Sequence, residues 1–347
     1  MTDPRVAVLV LNWNGWRDTV ECLESLFRLR YPAFSVVLVD NASTDGSVER
    51  ILDWAGGNAV ASSGADRLRH LSEPPVPKPI AVTRYSRRQA ESPGAPTSAS
   101  PLVLIENETN AGFAGGTNVG LRYLYSQPQF DFVWVLNNDI VVASNSLSEL
   151  VHAATRTGVG AAGPTLFEYQ RPDVVQIAGG GSFKPWRGFP RPATATHPGN
   201  AKDQPEFLDY VGGGCMLARV ADLSRVGTID ESYFMYGEDV DFSLRIRQIG
   251  LLIVHVPSAH AWHKGGAASG YFNPKHDYYV VRNNLYLMKK HFPRLMPLAF
   301  GFALYRFVLP KILRRQWKRL SAVRLAVRDY RRGIVGPLPV TSSINQS

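Results

Sequence analysis

The sequence predicts an α/β fold: a single, mostly parallel sheet flanked by helices, followed by a helical, basic C-terminal tail. Three observations carry this. Continuous apolar runs at residues 6–11, 36–39, 102–105 and 132–136 suit strands buried on both faces. The first two runs each lead into a helical pattern, and successive strand–helix units favour a parallel, right-handed arrangement. The runs end in polar residues, and open α/β sheets bind ligands at the carboxyl ends of their strands.

With 347 residues the chain is long enough for roughly two domains, and 45% hydrophobic with 19% charged residues is a globular composition. We divide it into a catalytic domain over residues 1–290 and a tail over 291–347. Cys22 and Cys215 provide no disulfide framework, which points to a reducing compartment. Met1 leads directly into the first strand, without the pattern of a signal peptide. Between Arg306 and Arg332 stand ten Lys/Arg against Asp329 alone, so the formal charge of +9 belongs to the tail. A basic segment points to an anionic membrane surface or to nucleic acid. We expect the membrane and no nucleic acid.

In chain order, the first strand ends at Asn12 and the polar stretch Trp13-Asn14-Gly15, before a helix over residues 16–29. The second ends at Asp40, after which Asp45 can cap a helix beginning near Ser47. Residues 55–100 lose all periodicity and contain Pro74, Pro75, Pro77 and Pro79, so they read as a long, partly disordered surface insertion. The third strand, 102–106, precedes a stretch with Gly112, Gly115, Gly116 and Gly120, where the backbone can approach a flat ligand closely; a helix follows over 121–125. Its spacing does not fit G-x-G-x-x-G.

The central run breaks at Asn137-Asn138-Asp139. Those residue types favour a turn, yet a carboxylate there, with amides beside it, can also hold a hard cation that touches a diphosphate. A helix is expected over 146–157, then a less regular region with short antiparallel strands to Tyr210, and glycines at 212–214. Glu238 and Asp239 open a helix, as acidic residues commonly do. A strand over 251–256 precedes His260, Trp262 and His263.

The order of these pieces resembles glycosyltransferase family 2, the inverting enzymes of GT-A fold with a Rossmann-like nucleotide-binding half. The likeness is strongest to the bacterial rhamnosyltransferase-like branch. It rests on Val10–Gly15, Val39–Ser47, Asn110–Asn118, Leu136–Asp139, Gly237–Asp239 and Trp262–His263, and covers residues 5–290 apart from the insertion. The resemblance implies a nucleoside diphosphate sugar donor, with Asn12, Asn14, Asp40, Asn110, Gly112, Asn138 and Gly213 around it. It implies Mg²⁺ or Mn²⁺ held by Asp139, the last residue of a D-x-D-like motif whose first position is Asn137 here, and by His263. Asp239 corresponds to the general base, with Glu238 as the second candidate. The acceptor would be a glycan or lipid-linked hydroxyl in cell-surface polysaccharide synthesis, and rhamnose the first sugar to test. A sugar-phosphate nucleotidyltransferase and a non-catalytic membrane-bound scaffold are the alternative readings.

In the tail, Leu313, Trp317, Leu320 and Val323 share one helical face, with Arg314, Arg315, Lys318 and Arg319 opposite. Arg324 and Arg328 then return to the apolar side. We expect an interfacial, amphipathic helix on the cytoplasmic face of the cell membrane.

Overall fold

The computed structural model describes residues 3–193, 206–212, 214–265 and 273–338. Gly213 lies outside them. The chain opens with β1 (Val6–Asn12), α1 (Trp16–Leu26), β2 (Phe34–Asp40) and α2 (Ser47–Gly56). Next come β3 (Val82–Ser86), α3 (Arg87–Ala90), β4 (Leu102–Glu106), α4 (Gly112–Tyr125) and β5 (Phe132–Asn137). After the turn at Asn138-Asp139 follow β6 (Ile140–Val142), α5 (Ser146–Ala154), β7 (Val159–Glu168), β8 (Val175–Ala178), β9 (Gly180–Lys184) and β10 (Phe189–Pro192). The second half contains β11 (Glu206–Leu208), β12 (Tyr210–Val211), β13 (Cys215–Arg219), α6 (Val220–Val226), α7 (Glu238–Gln248) and β14 (Leu252–His263). Helices α8 (Pro274–His291), α9 (Met296–Ala303), α10 (Leu309–Leu313) and α11 (Trp317–Arg331) complete it.

Among the described residues the main sheet runs β11-β14-β7-β13-β5-β1-β2-β4-β3. The half from β5 to β3 is parallel throughout. β13 enters antiparallel between β5 and β7, so the second half is mixed. β1 lies between β2 and β5, and the chain leaves it in one direction before returning on the other side. That is a topological switch point, where a crevice opens at the carboxyl ends of the strands. β1, β2 and β5 are buried on both faces, as their continuous apolar runs require.

The glycine-rich stretch is the beginning of α4, where we had expected a loop followed by a short helix. A Cβ at Gly116 would overlap the Leu11 side chain, and one at Gly120 would overlap Leu9. These glycines let the helix lie close on the sheet, and this packing outweighs their poor intrinsic helix propensity. Residues 55–100 are likewise more ordered than expected. They contribute β3, which pairs parallel to β4, together with a 3₁₀ helix, Asp66–Leu71, whose Leu68 and Leu71 are buried. The fully buried Glu24 on α1 anchors them. It accepts hydrogen bonds from Trp54 Nε1 (2.8 Å) and the Val76 amide (2.9 Å), and pairs with Lys78 (3.3 Å).

The tail also departs from expectation, because α11 folds back onto α8. Leu320 and Val323 are 3% exposed, whereas Leu313 and Trp317 on the same expected face are 75% and 60% exposed. Asp277, buried at the start of α8, fastens the arrangement. It pairs with Arg319 of α11 at 2.6 and 3.0 Å and with Lys311 of α10 at 3.1 Å. Removing one partner of a buried ion pair typically costs roughly 3–5 kcal/mol. Asp277→Ala, which strands two cations, should lower unfolding stability by that order in urea titration; a change under about 1 kcal/mol would mean that the clamp does not hold the tail.

Candidate active site

The site is built on the carboxyl edge of β1, β2 and β5. In register, Asn12 pairs with Asp40. Asn12 is fully buried, and its amide donates to Asp40 Oδ1 (2.7 Å) and Ser43 Oγ (3.1 Å). Its carbonyl oxygen accepts from Thr19 Oγ1 (2.8 Å) and Asn138 Nδ2 (3.2 Å). Asp40 Oδ2 accepts from the Ser43 amide (2.9 Å). Asn12, Asp40 and Asn138 therefore sit together where expected, but they spend their hydrogen bonds on one another and on the loops. The exposed Asn14 adopts a left-handed φ of 49° and accepts from the Thr44 amide (2.7 Å), which shapes the rim. Asp45 accepts from the Ser47 amide at the start of α2, close to the expected cap.

A second knot joins β2 to α4. Asn41 donates to Asn110 Oδ1 (3.0 Å) and Gly112 O (3.1 Å), and accepts from Asn107 Nδ2 and the Ala111 amide (both 3.1 Å). Gly112 has φ 72°, and a Cβ there would strike Phe234. The Phe113 amide donates to Phe234 O (3.0 Å). Thus the segment leading to Glu238-Asp239 is docked against the start of α4.

The expected metal pair converges by strand register. β14 bulges between Val256 and His260, then resumes pairing, so that His263 lies opposite Ile140 of β6. His263 Nε2 comes 3.3 Å from Asp139 Oδ1. The other ring nitrogen, Nδ1, lies 2.7 Å from Gln176 Oε1. An amide oxygen can only accept, so Nδ1 carries the proton. Nε2 then faces the Asp139 carboxylate, where a ring nitrogen and a carboxylate oxygen could share one cation. An imidazole and a carboxylate suit a divalent cation whose remaining ligands come from a diphosphate and water. Among the described residues no cluster of three or more metal-ligating side chains occurs.

Glu238 and Asp239 stand in the first turn of α7, where the helix dipole favours negative charge. They differ in environment. Glu238 is buried, and burial, followed by the Asp239 charge, pushes its carboxyl above the ordinary carboxylate range. Asp239 is half-buried, and its Oδ1 accepts from the Val240 amide (2.8 Å). One turn on, Asp241 is oppositely tuned. Burial would raise it, but His291 (2.7 Å), Lys290 (2.8 Å) and Arg245 (2.9 Å) hold it down at about 2. This cluster ties α7 to α8. Thr19 and Gln176 escape a sequence reading, and Asn41 and Ser43 enter it only within Val39–Ser47. Thr19 meets Asn138, 119 residues away, and only the register of β8 beside β7 brings Gln176 to His263.

The model described as "Glycosyltransferase like family 2" matches residues 87–278, and "Glycosyl transferase family 2" matches 7–65. An N-acetylglucosaminyl-diphospho-decaprenol L-rhamnosyltransferase of Mycobacterium tuberculosis is 32% identical over 215 residues, covering 56% of this chain and 69% of the relative. The low-salt glycan biosynthesis hexosyltransferase Agl10 of Haloferax volcanii is 25% identical over 192 residues, covering 55% and 61%. Among solved structures, a Pyrobaculum calidifontis mannosyltransferase in complex with GDP-Man and Mn²⁺ aligns with TM-score 0.52 at 17% identity, over 100% of this chain and 80% of that one. GalNAc-T7 with UDP, GalNAc and Mn²⁺ aligns with TM-score 0.55 at 15% identity, over 82% of this chain; this chain spans only 48% of that one. At such identities the likeness is one of fold, the GT-A fold. Together with the sequence match, it establishes that the chain belongs to glycosyltransferase family 2.

Proposed function

We propose that this enzyme moves a sugar, with rhamnose the first candidate, from a nucleoside diphosphate sugar to a hydroxyl of a lipid-linked glycan, inverting the anomeric centre. The observation that carries the reading is the approach of His263 to Asp139 at the switch-point crevice. The name of the mycobacterial relative supports the sugar and the acceptor class, and the GDP-Man and Mn²⁺ of the mannosyltransferase structure support the donor class.

In this reading Asp239 accepts the proton of the acceptor hydroxyl. The oxygen attacks the anomeric carbon from the face opposite the diphosphate, the carbon–oxygen bond to the diphosphate breaks, and the nucleoside diphosphate leaves with the bonding pair. Glu238 is the weaker candidate, because its raised proton affinity tends to keep it neutral. Asp139 and His263 would hold the divalent ion, with Gln176 orienting the histidine. Such an ion offsets charge on the leaving diphosphate. In this reading the exposed Asn14 and Asn110 meet the donor, above the buried Asn12 and Asp40 and the half-buried Asn138.

Asp239→Asn preserves shape but removes the base. Transfer should fall by at least ~10²-fold with donor affinity retained. Near-normal turnover, read by release of nucleoside diphosphate, would move the role elsewhere; release of pyrophosphate would identify a nucleotidyltransferase.

Activity should need Mg²⁺ or Mn²⁺ and vanish in excess chelator. Gln176→Leu should weaken the metal dependence constant by ~10–100-fold with little change at saturating metal. Full activity in chelator, or in Asp139→Ala, would exclude the ion.

We further propose that the enzyme works on the cytoplasmic face of the membrane. Residues 293–313 form the one stretch among those described that is long and apolar enough to cross a bilayer, and 17% of it is buried in the protein. Crossing would require breaking the pair between Lys311 and Asp277, which favours a helix lying on the surface. The outward Leu313 and Trp317, beside Arg314, Arg315 and Lys318, are the contact residues. Each basic residue near anionic lipid contributes about 1 kcal/mol. Leu313→Glu with Trp317→Glu should abolish flotation with anionic liposomes while unfolding stays unchanged. Equal binding to neutral liposomes would remove the electrostatic part of the proposal. Truncation at Pro293 is a poor test, because it strips α11 from α8.

A further inference from the structure

Helices α9 to α11 do not close on one another completely. A groove of about 530 Å³ runs between them. One wall carries Leu304, Val308 and Ile312, four residues apart on one face of the α9–α10 stretch. The other carries Val323 and Val327 of α11. Arginines line the same groove: Arg324, Arg328, Arg331 and Arg332. Arg324 and Arg328 are the residues that spoil the amphipathic pattern of α11 in the sequence. Their return to the apolar side is what places guanidinium groups beside a hydrocarbon-lined cleft. Arg328 pairs with Asp329 (3.0 Å), while Arg324, Arg331 and Arg332 make no ion pair among the described residues.

Apolar walls in line with several exposed guanidiniums select an amphiphile with a hydrocarbon chain and a compact, multiply charged anionic head. Arginine forks match phosphate oxygens in pairs, and lysine-type point charges do not. The Asp277 clamp on both Lys311 and Arg319 presets the angle between the two walls. The groove is also contiguous with the catalytic segment. Val323 of α11 and Val308 pack in the same apolar cluster as Tyr279 and Phe234. Phe234 stacks on Tyr279 at 5.8 Å, and Asn283 of α8 donates to the carbonyls of Tyr233, Met235 and Tyr236, immediately before Glu238.

We propose that this groove binds the isoprenoid diphosphate portion of the lipid-linked acceptor, with the chain between the α10 and α11 walls and the diphosphate on Arg324, Arg331 and Arg332. The inference rests on the lipid-linked acceptor reading and specifies where that lipid sits. A diphosphate held there would leave its sugar free to reach toward the loop that ends at Asp239.

The test uses the full chain and farnesyl diphosphate as the probe, by isothermal titration calorimetry below its aggregation concentration. Farnesol and inorganic pyrophosphate, each lacking half of the chemistry, should bind at least tenfold more weakly. Arg324→Glu with Arg331→Glu should weaken farnesyl diphosphate at least tenfold. Leu304→Trp, which fills the groove from its lip, should do the same while its thermal unfolding matches the parent. Arg30→Glu, a charge reversal at an exposed position on the first helix–strand connection, should have no effect. Asp139→Ala should also leave binding intact; loss there would put the probe in the donor site and overturn the proposal. Indifference to both groove changes would overturn it too, as would displacement by phosphatidylglycerol vesicles at matched lipid phosphate, which would make the groove a general anionic-lipid contact. Because no sugar is transferred in this experiment, an absence of glycosyltransfer would count against the functional reading without touching the groove.

Discussion

The structure depends on a buried amide. Asn12, at the last position of β1, has no contact with water, yet its side chain carries two donors and an acceptor. Leaving one such group unpaired in the interior costs about 1–3 kcal/mol. Asp40, Ser43, Thr19 and Asn138 satisfy it, and they come from β2, the loop after it, α1 and the turn after β5. One side chain thereby joins four segments at the crevice. The turn carrying Asp139 cannot shift without opening this network, so the carboxylate is held in place before substrate arrives. That kind of preorganisation is what electrostatic stabilisation of a leaving group needs.

The start of α7 is held by a different device. Three acidic positions in the first turn of α7 have three environments: Glu238 buried and held toward neutrality, Asp239 half-buried, and Asp241 surrounded by His291, Lys290 and Arg245. Environments that push neighbouring carboxyls apart in proton affinity allow separate roles for chemically similar groups. Asp241 does structural work, locking α7 to α8. The same α8 receives α11 and the Asp277 clamp, so the start of α7 and the tail share one support.

Much of this was legible in the sequence. The bounds of β2 and β4 follow from apolar runs with polar ends, and the α7 start follows from Gly237 and the acids after it. Of the motifs that resemble family 2, four lie where strands end and two where α4 and α7 begin. The misreadings have physical causes. Gly116 and Gly120 look like a loop because helix propensity is a local property, whereas their helix is imposed by close packing on Leu11 and Leu9. β7 contains Gly160, Gly163 and Pro164, which hide a ten-residue strand, and β14 survives Pro257 by bulging. The proline-rich insertion is ordered because a single buried glutamate on α1 gathers it, and nothing near it in the chain announces that partner.

The tail shows how an irregular pattern can be more informative than a regular one. A clean amphipathic helix has one apolar stripe and one place to put it. In α11 the stripe is divided: Ala322 and Ala326 pack in the cluster with α8, Val323 is shared between that cluster and the groove, and Arg319 turns inward to Asp277. The face first assigned to the bilayer is therefore largely spent on the protein. What remains for lipid is the outward side of residues 293–313 and the cleft whose apolar floor is interrupted by Arg324 and Arg328. Arginines gain nothing from sitting beside hydrocarbon unless an anion accompanies it, because a guanidinium must be paired or hydrated. Hydration alone would be served as well on the fully exposed side of α11. Their position on the groove side is accounted for by a ligand that brings chain and phosphate together, and it links the basic charge of the tail to the acceptor chemistry of the catalytic domain.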